Sequence, residues 1–115
     1  MNVIMIYDLG YWRVPISNRD KHREVMQTIY SNLKINRKNF PVTSSRLFIM
    51  KADSDIFETW LYINAFADET AHAQNSMALE NDPKIATLRK EWKSLILPDS
   101  FKAEMWTEFA PDLWI

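Results

Sequence analysis

The 115-residue chain contains no cysteine. That absence removes thiol nucleophiles, disulfides, iron–sulfur ligation and Cys-based zinc sites together. It has one glycine, so a glycine-rich phosphate loop cannot be built, and a sandwich of many tight hairpins, which needs glycines at positive φ, is disfavoured. An excess of positive charge is also missing: 14 Lys and Arg stand against 15 Asp and Glu. Without a basic footprint, nucleic acid is not expected as a partner. No window of about 18 apolar residues occurs, so no membrane span is expected. The stretch Met1–Asp8 has neither a basic leader nor a small-residue cleavage site, which argues against a secretory signal. Cytoplasmic residence is the expectation. Histidine is scarce as well, with His22 and His72 alone and no H-x-x-x-H or H-E-x-x-H spacing, so no metal site is expected. G-x-S-x-G is absent, and Ser44-Ser45 read as turn residues.

What the chain does have is apolar and aromatic bulk: 47% hydrophobic residues and five tryptophans. Residues 1–115 are expected to form a single domain with its own core. Residues 3–13 are β-branched and aromatic and predict a first strand, with Gly10 marking a bulge or a close approach. Ser17-Asn18-Arg19-Asp20 offers an N-cap, and His22, Val25, Met26, Ile29, Tyr30 and Leu33 follow at helical spacing, predicting a helix over about 18–36. His22 lies on that apolar stripe, where a packed, hydrogen-bonded histidine is expected rather than a ligand. Residues 46–52 and 57–66 predict two further strands, joined through an Asp53-Ser54-Asp55 turn. Asp68-Glu69-Thr70 opens a polar helical stretch that Asn81-Asp82-Pro83 ends, and Asp82 with Pro83 restarts a helix carrying Ile85, Leu88, Trp92, Leu95 and Ile96. Residues 101–109 alternate as a fourth strand. The tail cluster Leu113-Trp114-Ile115 is expected to dock on its own or a partner protomer. The order β-α-β-β-α-β predicts an α+β, ferredoxin-like domain with a four-stranded antiparallel sheet.

Two helices cover one face of such a sheet, and the other should read polar in a monomer. It does not. In the first strand Val3, Met5, Tyr7, Leu9 and Tyr11 alternate with Ile4, Ile6, Asp8, Gly10 and Trp12. In the third, Phe57, Leu61 and Ile63 alternate with Trp60, Tyr62, Asn64 and Phe66. A second apolar face exceeds what soluble monomers leave exposed, so a homodimer closed sheet to sheet is expected.

Ile6-Tyr7-Asp8-Leu9-Gly10-Tyr11-Trp12, with Ala65-Phe66-Ala67-Asp68-Glu69 running through Asn81-Asp82-Pro83 to Trp92, resembles the dimeric α/β-barrel superfamily. Within it the nearest branches are the NIPSNAP and antibiotic-biosynthesis-monooxygenase-like proteins. The resemblance covers about residues 3–109 and implies two ferredoxin-like protomers closing their sheets into a barrel. It also implies a pocket between sheet and helices for a flat organic substrate, worked without metal or flavin. Gly10 stands where the NIPSNAP strand usually carries arginine, so an anion-binding role there is not carried over. Haem-degrading relatives carry their axial histidine where this chain has Leu88, and His72 lies well before that point, so haem is not expected.

The residues left to carry chemistry are Asp8 with Trp60, Tyr62, Asn64 and Phe66 on one face, and His72 on the helix above. Aromatic walls suit planar ligands, and a few convergent polar groups fix their orientation. Read as an enzyme, the chain is a cofactor-independent monooxygenase. Asp8 or His72 removes a proton, Asn64 or Tyr62 stabilises developing negative charge, and Trp60, Tyr62 and Phe66 bind the substrate. The alternatives are a small-ligand-binding protein without turnover and a structural homodimer whose cavity Trp60, Tyr62 and Trp106 fill.

Overall fold

The computed structural model describes residues 4–51, 54–113 and 115. Strands β1 (Ile6–Pro15), β2 (Ser44–Ile49), β3 (Phe57–Phe66) and β4 (Lys102–Thr107) form one sheet in the order β2-β3-β1-β4. Every pairing is antiparallel. Helices α1 (Arg19–Ile35), α2 (Glu69–Asn81) and α3 (Pro83–Leu95) complete a ferredoxin-like α+β domain. Among the described residues no helix is long and apolar enough to cross a membrane.

The β1–β3 ladder runs without interruption from Ile6 opposite Phe66 to Pro15 opposite Phe57. Gly10 therefore marks no bulge. The strand runs two residues past its expected end because β4 pairs with β1 only as far as Tyr11, so Pro15 leaves no ladder acceptor wanting its missing N–H. Val3 lies outside the described residues, and Ile4 and Met5 precede the strand, which starts at Ile6. β2 begins at Ser44, and Ser45 pairs with Asn64, so these serines belong to a strand rather than a turn. Ala52 and Asp53 of the expected strand end and turn lie outside the described residues.

Helix starts follow their caps in two cases of three. Asp68 accepts the Ala71 N–H at 2.8 Å, and Asp82 accepts the N–H groups of Lys84 and Ile85, both at 3.0 Å. Asn18 stands at the α1 N-cap position but makes no cap bond there. Its amide instead donates to the carbonyl of Leu95 at the end of α3, at 3.0 Å.

The face of β1 and β3 that carries Trp12, Val14 and Trp60 meets Val25, Met26 and Ile29 of α1 and Ile85 of α3 in the core. Burying each such side chain contributes about 1.5–3 kcal/mol against solvent. His22 is fully buried among them and accepts the Trp12 indole N–H at 2.9 Å through Nε2. Its ring stands edge-on to Trp60, with centroids 4.6 Å apart. The imidazole proton then sits on Nδ1, which is buried without a partner.

Among the described residues, the opposite face has no covering layer within the protomer. It carries Tyr7, Leu9 and Tyr11 of β1, Leu61 and Ile63 of β3, Phe48 of β2 and Trp106 of β4, by the alternation that the registers fix. Trp106 is 57% exposed and lies on the wrong side of the sheet to fill a cavity under the helices. At the C-terminal end Leu113 is 70% exposed and Ile115 is open to solvent, so neither docks on its own protomer; Trp114 lies outside the described residues.

Candidate functional site

Directly opposed residues of paired strands share a face, so the registers bring Asp8 beside Asn64 and Gly10 beside Tyr62, all under the helices. Tyr62 lies diagonally from Asp8 across the β1–β3 ladder and donates its hydroxyl proton to Oδ1 at 3.0 Å. Gly10 makes this reach possible, because a Cβ there would collide with the Tyr62 ring. From above, α2 presents His72, whose Nε2 lies 3.6 Å from Asp8 Oδ2. The His72 ring stands edge-on to Phe66, with centroids 5.0 Å apart. Both oxygens of Asp8 thus face polar partners, while only 18% of its side chain is exposed. Burial first, and the charge of Asp8 second, push the Tyr62 phenol far above its ordinary range. It stays a protonated donor at any physiological pH.

Asn64 does not bond Asp8. Its Oδ1 accepts from the Ser45 hydroxyl, which has one proton to give, so Tyr30 must be the donor in its 2.8 Å bond to Ser45. This chain fixes the Asn64 amide and leaves its nitrogen without a hydrogen bond among the described residues.

These groups line a cavity of about 300 Å³ between the sheet and the three helices. Asp8, Tyr62, Asn64 and His72 supply polar groups, and Trp12, Leu47, Trp92 and Phe101 supply apolar walls. Arg89 of α3 also lies along it. Of the six residues expected at the site, Trp60 and Phe66 do not line this cavity. Trp60 is stacked on Trp12 in the core, with ring centroids 6.2 Å apart, and Phe66 is fully buried beneath His72. Among the described residues no three His, Asp or Glu side chains come together in a way that could hold a metal ion.

Sequence reasoning missed Asn75. It is 7% exposed, the one buried residue of α2, and its Oδ1 has no partner. An unsatisfied buried amide costs about 1–3 kcal/mol. His72, Asn75, Ser76 and Leu79 all line the cavity, and their spacing of three and four places them on one helix face. That periodicity was the available signal, but polar residues hide it.

No family model matches the chain, and no curated protein matches it by sequence. Solved structures do match. A NIPSNAP family protein of Agrobacterium tumefaciens C58 superposes with a TM-score of 0.72 at 10% identity, over 96% of this chain and 91% of that one. SnoaB, a cofactor-independent oxygenase from Streptomyces nogalater, superposes with a TM-score of 0.65 at 13% identity, over 93% of this chain and 97% of that one. A protein of Nitrosomonas europaea, provisionally assigned as an antibiotic biosynthesis monooxygenase, gives 0.66 at 13% identity over 96% of each chain. The fold is the one these proteins share. At such identities the likeness speaks for architecture: the NIPSNAP and antibiotic-biosynthesis-monooxygenase-like fold sets a four-stranded floor under a helical roof, and this chain places Asp8 between them.

Proposed function

We propose that the protein is a small-molecule enzyme of the cofactor-independent monooxygenase type, acting in the cytoplasm on a planar aromatic substrate held in the Asp8 cavity. The observation that carries this reading is a carboxylate positioned by a half-buried tyrosine donor and opening onto aromatic walls. A phenol with a free para carbon serves as the reference reaction. Asp8 takes the phenolic proton, and the free N–H of Asn64 stabilises the phenolate oxygen. The phenolate gives electrons to dioxygen, a C–O bond forms at the para carbon, and loss of the para hydrogen with cleavage of the O–O bond releases water and a quinone. One phenol and one O₂ give one quinone and one water, so atoms and electrons balance with dioxygen as the sole oxidant. His72 takes up or returns the proton at Asp8 Oδ2.

The working unit in this reading is a homodimer closed through the open sheet face. Tyr11, Phe48 and Trp106 are 41%, 44% and 57% exposed there, around Leu9, Leu61 and Ile63, and a contiguous apolar surface of that kind marks an interaction site.

Oxygen uptake and quinone formation with 1-naphthol or anthrone test the proposal. Wild type should turn over, and Asp8→Asn should lower the rate by about 10²-fold or more while the protein stays folded. Turnover that survives this change would overturn it. A second reading, binding without turnover, is favoured by the Tyr62 proton already resting on Asp8; saturable 1-naphthol binding with no oxygen consumption would select it.

A further inference from the structure

The open face of the sheet carries charge as well as apolar side chains. Its registers set residues in straight rows across the four strands, and one row runs from Arg46 on β2 through Ile63 and Leu9 to Glu104 on β4. The row on one side ends in Phe48 and Lys102, the row on the other in Ser44 and Trp106. Because β2 and β4 are the two edges of the sheet, Arg46 and Glu104 stand three strand spacings apart, about 14 Å. They cannot pair within one protomer. Arg46 is exposed and makes no ion pair among the described residues. Glu104 is exposed too, and its Oε2 accepts the Trp106 indole N–H at 3.1 Å, which holds the carboxylate on this face.

We propose that the open face binds a second copy of this chain with the two-fold axis running along the strands, so that Arg46 pairs with the partner subunit's Glu104 at both edges. The proposal rests on reading this face as a dimer interface and adds how the two sheets align. Symmetry limits the choice. Sheets that pack in the aligned class keep their strands within about 30° of one another, so the axis lies along the strands or across them. An axis along the strands, through the middle of the sheet, exchanges β2 with β4 and β1 with β3. A two-fold has no translation along itself, so each row meets its own copy. Arg46 then opposes the partner subunit's Glu104, Leu9 opposes the partner subunit's Ile63, and Lys102 lies over the ring of the partner subunit's Phe48. Trp106 falls over the partner subunit's Ser44, a large side chain against a small one. Sheets about 10 Å apart leave an extended Arg and Glu within reach of each other. An axis across the strands instead lays β2 on β2 and β4 on β4. Whichever row it crosses, both Arg46 side chains then share one seam, and Ser44 and Phe48, the other open-face residues of β2, supply no acid there. Closing cations into a seam without a counter-charge is disfavoured.

Sedimentation velocity of the full chain over a dilution series at low salt tests this. Arg46→Glu and Glu104→Arg each put like charges at both edges, and each should raise the dimer dissociation constant by about tenfold or more. Mixed in equal amounts, the two variants should return to wild-type affinity, because each contact of the mixed dimer again opposes one acid with one base. The Arg46→Glu/Glu104→Arg double variant should recover by itself. Since the two residues do not touch within a protomer, such recovery reports contact between copies. Wild-type affinity in both single variants overturns the alignment and leaves the dimer standing. Weakening that neither the mixture nor the double variant repairs overturns the alignment as well. A wild type that stays monomeric over the whole series overturns alignment and dimer together and leaves the face to a different partner.

Discussion

Tyr62 of β3 reaches Asp8 of β1 by laying its ring over Gly10, and its hydroxyl meets Oδ1 at 3.0 Å. The sole glycine of the chain is thus the gap through which two strands join their polar groups. Gly10→Ala should displace the ring, destabilise the fold by about 1–3 kcal/mol and weaken 1-naphthol binding. Tyr62→Phe keeps the ring and loses the bond, at about 1 kcal/mol. Urea unfolding and dialysis on the two variants check this, and a Gly10→Ala protein with wild-type stability and binding would contradict it.

Burial lowers the His22 pKa from its ordinary 6.5 to about 4. The unfolded chain therefore binds the proton first as pH falls. Stability should hold steady above pH 6.5 and fall between 6.5 and 4, with a total loss of about 3 kcal/mol from this group. His22→Gln should be less stable at pH 7 and flatter across that window. Urea midpoints at pH 7.5, 5.5 and 4.5 measure both; parallel curves for the two proteins would refute the assignment.

If the open face joins two copies, Ile63→Arg at its centre should give a folded monomer. Sedimentation velocity at micromolar concentration reads the change. A monomeric wild type under the same conditions would remove the dimer.

Asp82 satisfies two N–H groups at the start of α3, and Ile85, one of those donors, is almost wholly buried. Asp82→Ala should cost about 1 kcal/mol, seen as a lower thermal midpoint with the α3 fold retained.

Local chemistry was readable in the sequence where it acts locally. β3 spans Phe57–Phe66 as its apolar run predicts, and Asp68 and Asp82 cap the helices they precede. The cap expected from Ser17-Asn18-Arg19-Asp20 does not form: Asn18 takes the cap position, and its amide goes to the Leu95 carbonyl, 77 residues away. Alternation put Trp60 and Tyr62 on the correct face of β3, but a period of two reports the face and not the position along the strand. α1 covers the Trp60 end, so that ring became core while Tyr62 faces the cavity. Asn75 escaped notice because a buried asparagine on a polar helix looks like any solvated one until its surroundings are known.

The polar groups of the site ride on elements of unequal anchorage. Asp8, Tyr62 and Asn64 belong to the two central strands, hydrogen-bonded on both sides. His72 and Asn75 ride on α2, whose only buried residue is Asn75 itself. Segments with few buried apolar contacts open at low free energy, so the floor is stiff and the α2 part of the roof compliant. Under the proposed function, a ligand lying there would be gauged tightly for its outline in the plane of the strands and loosely for its thickness, so substituents rising toward α2 would be accommodated where those spreading along the sheet would be refused.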